Sequence, residues 1–224
     1  MKYRQVTFDL YAALVDLEGS LVPKLEKVIG NTDQDLVTVF RNWRASQGYF
    51  LLINNSLAEP QRDYDSITLM CLDYALQKAG LKVSMAGKRE LVDAWTTLKL
   101  WPEAKSVLIE VKRRGYPIGI LSNGDTKMIA KVIEGFEVPF DHIFAADQAG
   151  AFKPDPRVYD LPLNKLKLKG KELLHVAGTV HDFIGTKAAG IVCAWSNRAG
   201  DAVLDPTHAP DFIFKDLTGV LDLV

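Results

Sequence analysis

The sequence predicts an α/β protein in which a Rossmann-like parallel sheet with helices on both faces carries an inserted α-helical cap. After Trp101-Pro102, short apolar strands alternate with helical segments, which is the pattern of a parallel sheet covered on both faces. Between about residues 20 and 100, the apolar residues recur at helical spacing with almost no strand signal. We therefore expect an α/β core made of residues 1–16 and 101–224, and a helical cap made of residues 17–100.

The individual elements follow from periodicity and from breaker residues. The first strand is expected at about residues 4–9, and the cap helices show apolar spacing from Leu36 to Trp43 and again from Leu69 until Gly80. The remaining elements are expected in this order: a helix at 103–114, a strand at 118–121, a helix at 125–134, a strand at 143–145, a helix at 156–168, a strand at 173–177, a helix at 182–189, strands at 191–195 and 212–214, and a C-terminal helix.

Charge and cysteine content exclude several classes of protein. The chain of 224 residues has 27 Lys and Arg against 28 Asp and Glu, which argues against a sequence-independent nucleic-acid binder. Cys71 and Cys193 are far apart, so neither a disulfide framework nor a zinc site is indicated, and we expect buried thiols in a reducing compartment. No run of residues has the length and apolarity of a membrane span. These features predict a cytoplasmic protein with no membrane partner.

Polar side chains follow four of the expected strands. Asp9 ends the first strand, Ser122-Asn123 follows the second, Lys153 precedes a Pro-x-Pro turn, and Asp182 lies just beyond the strand at 173–177. Because the carboxyl ends of parallel strands meet at one edge of a sheet, we expect these groups to converge there. A strand-end aspartate also commonly caps a helix or turn, so Asp9 alone leaves both interpretations open.

A carboxylate, a lysine and a hydroxyl at one edge of a sheet can act together in nucleophilic catalysis. The carboxylate can attack carbon or phosphorus and form an ester or acyl phosphate, which water then cleaves. Lys153 would hold the nucleophile, and Ser122 with backbone amides at the next helix N-terminus would bind an anionic substrate. A small anionic molecule is therefore the expected partner.

In this order, the four segments resemble the haloacid dehalogenase superfamily of hydrolases, and the likeness covers essentially the whole chain. The most specific parts are Phe8-Asp9-Leu10-Tyr11 with Leu14 and Asp16, Leu121-Ser122-Asn123-Gly124, and Lys153-Pro154 with Val158-Tyr159. The resemblance implies that Asp9 is the nucleophile, that Lys153 orients it and that Asp182 helps to activate water. It also implies that the Tyr159 hydroxyl lies near Lys153.

Tyr11 separates two branches of that superfamily. Its phosphatases carry a second Asp at this position, which protonates a departing alkoxide, whereas a halide leaves without a proton. The tyrosine is similar to that of the L-2-haloacid dehalogenases. On the same resemblance Arg44, which follows Trp43, matches the arginine that faces the halide, and Arg41 is the second choice. The implied substrate-binding set is Tyr11, Arg44, Ser122, Asn123, Tyr159 and Thr179.

The chain also departs from the dehalogenase pattern. Ala12-Ala13 replaces Gly-Thr, and Ala177-Gly178-Thr179 replaces Ser-Ser-Asn. The first change removes a hydroxyl near the nucleophile, and an alanine at position 12 would strain the turn if a positive φ were needed there. Thr179 is expected to assume part of the polar role of the missing asparagine.

The resemblance to dehalogenases implies that no cofactor is required. A minimal magnesium site made of Asp9, Asp182 and the backbone carbonyl of Tyr11 stays open as an alternative. The affinity of this site for magnesium is expected to be low because positions 11 and 178 carry no acid.

Three functions remain in view at this point. The first is hydrolysis of a small 2-haloacid through an aspartyl ester, the second is a magnesium-dependent phosphatase of a small phosphate ester, and the third is a catalytically weak small-anion binding protein. His175 lies inside an apolar strand and is interpreted as a core histidine. The apolar cap helices leave a homodimer open.

Overall fold

The structure, a computed structural model, describes residues 2–57 and 59–224. Met1 and Ala58, which the predicted domain ranges include, lie outside the described residues. The strands are β1 (Gln5–Phe8), β2 (Val15–Asp16), β3 (Lys99–Leu100), β4 (Ile118–Ser122), β5 (His142–Ala145), β6 (Leu173–Ala177), β7 (Val192–Ser196) and β8 (Phe212–Phe214). The α-helices are α1 (Leu17–Ile29), α2 (Leu36–Ser56), α3 (Tyr64–Lys78), α4 (Met85–Asp93), α5 (Ala104–Arg113), α6 (Thr126–Glu134), α7 (Ala146–Ala149), α8 (Pro156–Leu166) and α9 (Val180–Ala188).

The chain divides into two compact units. The first consists of Met1–Val15 with Leu100–Val224, and the second of Asp16–Lys99. These boundaries lie one residue from those expected from the sequence. The chain passes between the units within β2 and β3, which pair as a separate two-stranded ribbon.

The first unit is built on a six-stranded parallel sheet with the order β5-β4-β1-β6-β7-β8, as the alternation of strands and helices predicts. From β1 the chain continues to β4 and then β5 on one side of β1. It then crosses to β6, β7 and β8 on the other side. Because such crossovers are right-handed, the helices α6 and α9 of these connections lie on opposite faces. The carboxyl end of β1 is therefore a topological switch point, where open α/β sheets bind ligands.

Among its described residues, the second unit consists of helices joined by short loops, apart from the strand residues at its ends. Its four helices begin at capping side chains that accept a backbone N–H, namely Asp16, Asp35, Asp63 and Ser84. Its centre is aromatic: Trp43 and Tyr64 both pack edge-on against Trp95, with ring centroids 5.5 and 6.2 Å away. Within the described parts of the chain, no helix combines the length and the apolarity needed to cross a bilayer.

Two local expectations are corrected. The segment Leu10–Leu14 is π-helical, and Ala12 is not strained, since Glu137 and Lys167 are the positive-φ non-glycine residues among those described. The C-terminal helix is only the 3₁₀ segment Leu217–Asp222. Its buried residues Leu217 and Val220 are three apart, so they lie on one face of the 3₁₀-helix.

Candidate active site

Asp9 follows β1 at the switch point of the sheet. Its side chain accepts a hydrogen bond from the backbone N–H of Ala12 at Oδ2 (2.9 Å) and one from Lys153 Nζ at Oδ1 (3.2 Å). The residue is only 8% exposed. Asp9 thus caps the first turn of Leu10–Leu14 and also joins a buried polar cluster, so both interpretations of a strand-end aspartate apply.

Lys153 connects two carboxylates. Its ammonium group lies 3.2 Å from Asp9 Oδ1 and 2.9 Å from Asp182 Oδ2, and the side chain is 1% exposed. The backbone N–H of Lys153 donates to Oδ1 of Asn123 at 2.6 Å. Asn123, expected to bind substrate, is therefore used here to fix the segment that carries the lysine.

Asp182 lies in the first turn of α9 and is almost completely buried. Burial alone would raise the pKa of Asp182, but Lys153 and then His175 outweigh it and hold that pKa well below the usual range. The carboxylate is consequently ionised at neutral pH.

The Tyr159 hydroxyl donates to Oδ1 of Asp182 at 3.0 Å and lies 3.2 Å from its backbone carbonyl. The expected proximity to Lys153 is met by the ring, whose centroid is 6.0 Å from Nζ, while the hydroxyl itself serves Asp182. Burial, and then the negative charge of Asp182, raise the pKa of Tyr159 well above its ordinary value. Tyr159 is therefore a hydrogen-bond donor throughout the physiological range.

His175 belongs to this cluster and not simply to the apolar core. Its Nε2 atom lies 3.1 Å from Asp182 Oδ2 and 3.4 Å from Lys153 Nζ, and its Nδ1 atom lies 2.9 Å from Thr7 Oγ1. Sequence reasoning assigned His175 to the core and did not single out Thr7. The available signal was the presence of a polar side chain between apolar neighbours in each of two expected strands, Thr7 between Val6 and Phe8 and His175 between Leu174 and Val176.

Ser122 ends β4, and Tyr11 packs against the loop that follows it. Ser122 is fully buried at the end of β4, and its hydroxyl has no hydrogen-bond partner among the residues that the structure describes. Tyr11 is also buried, and a Cβ on Gly124 would come within 2.7 Å of the Tyr11 hydroxyl oxygen. The tyrosine therefore packs directly against the loop after Ser122, and a side chain at position 124 would displace the Tyr11 hydroxyl.

Gly178 lies equally close to the segment after Asp9. A Cβ at this position would be 2.4 Å from the backbone carbon of Ala12 and 2.4 Å from the backbone nitrogen of Ala13. The hydroxyl of Thr179, expected to replace an asparagine amide, lies 3.2 Å from Nε2 of His181. Support for Asp182 comes from Lys153, His175 and Tyr159.

In the helical unit, Arg44 and Arg41 have different surroundings. The Arg44 guanidinium donates to Oε1 of Gln47 (2.5 Å), lies 3.4 Å from the Tyr64 hydroxyl and is 5.7 Å from the ring centroid of Trp95. Arg41 is exposed and pairs with Glu18 at 2.9 Å. Of the two arginines, Arg44 is thus the one held among buried groups.

The family model of haloacid dehalogenase-like hydrolases matches residues 4–190. The chain belongs to this family. It is therefore an enzyme of the haloacid dehalogenase hydrolase type, as the order of the four segments predicts.

Within the family, the chain is similar to proteins named as dehalogenases. It is 28% identical to haloacetate dehalogenase H-2 of Moraxella sp. (strain B), covering 100% of this chain and 98% of that protein. It is 29% identical to the (S)-2-haloacid dehalogenase of Pseudomonas sp. (strain YL), covering 97% and 93%. The fold also matches the L-2-haloacid dehalogenase of Xanthobacter autotrophicus with chloropropionic acid covalently bound, with a TM-score of 0.85, 22% identity, and coverage of 99% and 98%. These relatives agree with the branch that Tyr11 indicates.

The residues of this family member do not fit the magnesium site left open by the sequence. The Lys153 ammonium occupies the position between Asp9 and Asp182, so a cation is already supplied by the chain. Position 178, where a phosphatase has its further acid, cannot accept any side chain without moving the Ala12 backbone. Across residues 2–57 and 59–224, no group of three or more His, Cys, Asp or Glu side chains is arranged to hold a metal ion.

Both cysteines behave as the sequence predicts. Cys71 and Cys193 are buried free thiols. Burial raises the pKa of Cys71 to about 11 and that of Cys193 well above its ordinary value. Neither is a thiolate at neutral pH, so neither is a candidate nucleophile.

Proposed function

We propose that this enzyme hydrolyses small 2-haloacids through an ester of Asp9, in the manner of an L-2-haloacid dehalogenase. The observation that carries the proposal is the Lys153 ammonium held between Asp9 and Asp182 in a buried cluster, beside a tyrosine instead of a second acid at position 11. This arrangement supplies a fixed carboxylate nucleophile and places no acid two residues after it, the position from which a phosphatase protonates its alkoxide leaving group.

In the first step, an Asp9 carboxylate oxygen attacks the halogen-bearing carbon from the side opposite the halogen. A carbon–oxygen bond forms, the carbon–halogen bond breaks, and the halide leaves with the bonding electron pair. The configuration at carbon therefore inverts. Lys153 and the Ala12 N–H hold the nucleophile in place, which lowers the entropic part of the barrier.

In the second step, water attacks the carbonyl carbon of the Asp9 ester. Asp182 accepts a proton from this water and passes it to the departing oxygen of the product. The products are a 2-hydroxy acid and a regenerated Asp9 carboxyl group, which loses its proton to solvent. The low pKa of Asp182 keeps it ionised before this step, and so weak a base readily passes on the proton that it takes up.

The unpartnered Ser122 hydroxyl is assigned to the substrate carboxylate, since a buried hydroxyl without a partner is satisfied by a bound anion. Tyr11 and the loop that contains Asn123 lie next to Ser122 at this edge of the sheet. Thr179 stays a candidate for substrate contact. Arg44 is assigned to the halide on the resemblance, and its half-buried position beside Gln47 and Tyr64 favours it over the exposed Arg41.

The test is chloride release from (S)-2-chloropropionate in the presence of EDTA. We expect wild-type turnover, none for Asp9→Asn, and near wild-type turnover for Asp16→Asn, because an asparagine at Asp16 still caps α1. Arg44→Lys should lose turnover while Arg41→Lys keeps it. Failure of the wild type to release chloride would refute the proposal, and turnover of p-nitrophenyl phosphate with Mg²⁺ would favour a phosphatase.

A homodimer stays a prediction. The exposed Tyr49, Met70 and Tyr74 of α2 and α3 border a cavity of about 370 Å³ in the helical unit, and a second copy would cover them. Sedimentation of the Tyr74→Glu variant tests this prediction, with Ile109→Glu, at a similarly exposed apolar residue, as the control. Residence in the cytoplasm likewise stays a prediction.

A further inference from the structure

We propose that His175 is a positioning residue of this active site, which acts with Thr7 to hold the Asp182 carboxylate for the step that involves water. The inference rests on the proposed function, because it assigns His175 a part in hydrolysis of the Asp9 ester. It concerns a side chain that the chemistry described above does not use.

The position of His175 is set by the sheet. Thr7 on β1 and His175 on β6 are register partners in adjacent parallel strands, and both side chains are completely buried. Burying an imidazole and a hydroxyl in the middle of a sheet is unfavourable unless both are hydrogen-bonded. The 2.9 Å contact between Thr7 Oγ1 and His175 Nδ1 meets that requirement and fixes the plane of the ring.

The fixed ring directs its other nitrogen to the active-site acid. Nε2 lies 3.1 Å from Asp182 Oδ2, which is hydrogen-bond distance to an acceptor that cannot donate when ionised. A proton on Nε2 makes this contact a hydrogen bond, and Nδ1 forms the second hydrogen bond of the ring with the Thr7 hydroxyl. Nε2 also lies 3.4 Å from Lys153 Nζ. The two nitrogens are neighbours because both donate to the same acceptor, Asp182 Oδ2.

Each carboxylate oxygen of Asp182 consequently has its own support. Oδ2 accepts from Lys153 and His175, and Oδ1 accepts from Tyr159. Without His175, Lys153 would be the remaining donor to Oδ2 among the described residues while it also binds Asp9. The histidine thus keeps Asp182 in place while the lysine serves the nucleophile, at a site where Ala13 and Ala177 supply no hydroxyl.

The kinetic test compares His175→Phe with His175→Gln. The glutamine amide can reach toward Asp182 and donate, whereas the phenyl ring fills the space without a donor. For His175→Phe we expect kcat to fall about ten- to a hundredfold with KM little changed, the effect of losing one hydrogen bond to a charged group. His175→Gln should recover most of this loss. Because hydrolysis is the step affected, quenched His175→Phe should carry the ester on the Asp9 peptide in mass spectrometry.

Three outcomes of that comparison are informative. Ester accumulation in His175→Phe with recovery in His175→Gln supports the inference. Equal losses in both variants, in step with reduced folded protein by circular dichroism, would mean a merely structural role. A wild type that releases no halide refutes the proposed function instead.

A second measurement tests the contact without turnover. In protein labelled with ¹⁵N-histidine, the Nε2–H signal of His175 should be protected from exchange, absent in His175→Gln, and shifted in Asp182→Asn. A ring signal that is unaffected by Asp182→Asn would overturn the inference, even if both His175 variants were inactive.

Discussion

Gly178 lies so close to Ala12 that a Cβ at position 178 would be 2.4 Å from the Ala12 backbone. This approach joins the loop after β6 to the segment that caps on Asp9. The loop that precedes Asp182 and the segment that fixes the nucleophile therefore cannot move independently.

Gly178→Ala should accordingly destabilise the protein by about 1–3 kcal/mol, the usual cost of overpacking, and should lower turnover by displacing Ala12 from Asp9. Urea unfolding and chloride release measure the two effects. Gly48→Ala is the matched control: it adds the same methyl group within α2, where a Cβ meets nothing within 4 Å beyond its chain neighbours and the nearby backbone of its own helix, and should stabilise by about 0.5–1 kcal/mol. A stable, active Gly178→Ala would contradict this account of the loop.

Lys153→Met should be strongly destabilising, because it leaves Asp9 and Asp182 without their shared cation. Breaking a buried ion pair by removing one partner costs about 3–5 kcal/mol. The double variant Lys153→Met with Asp182→Asn should cost less than the sum of the single variants.

Lys112→Met is the control for Lys153→Met, since Lys112 pairs with Asp141 near the surface. Its removal should lower the free energy of unfolding by less than about 1 kcal/mol. Free energies of unfolding from urea titration give all four values. Additive losses at Lys153 and Asp182 would show that the two groups are not coupled.

The placement of Asp9 and Asp182 was predictable because it follows from topology: once strands and helices alternate, residues that follow the strands share an edge, whatever the details of packing. Lys153 lies beyond α7, so its prediction depended on the resemblance of Lys153-Pro154 to the family pattern. His175 and Thr7 were not identified, because alternation places a residue on a face but does not show which side chain meets it across the sheet. The direction of the Tyr159 hydroxyl and the 3₁₀ geometry of Leu217–Asp222 likewise depend on tertiary contacts.

Stability should depend on pH through Asp182. Its pKa is lower in the folded protein than the ordinary value of about 3.9, so the unfolded chain binds more protons in the window between the two values. The free energy of unfolding should therefore fall as the pH drops from about 4 toward the folded pKa. Above this window the contribution is fully present.

Urea unfolding between about pH 5 and pH 2 measures that slope. Asp182→Asn should be less stable than the wild type at neutral pH but should show a shallower dependence. Asp155→Asn is the control: Arg157 lowers the pKa of Asp155 too, but this pair is partly exposed and screened, so its removal should change the slope less. Equal slopes for the wild type and Asp182→Asn would contradict the assignment.

Ser122→Ala should separate stability from substrate binding. The buried hydroxyl has no partner among the described residues, so its removal should leave the free energy of unfolding unchanged or slightly higher. The KM for a 2-haloacid should rise about tenfold or more if that hydroxyl binds the substrate carboxylate. Ser196→Ala, at a second buried and unpartnered hydroxyl, should leave KM unchanged.

The most direct test of Asp9 as nucleophile is a single turnover of (S)-2-chloropropionate in H₂¹⁸O with enzyme in excess. If water attacks the carbonyl carbon of an Asp9 ester, the label enters the Asp9 carboxylate and the first 2-hydroxypropionate formed is unlabelled. Mass spectrometry of the peptide that contains Asp9 and of the product reads both. Label in the product after one turnover, with none in Asp9, would show direct attack by water and contradict the account.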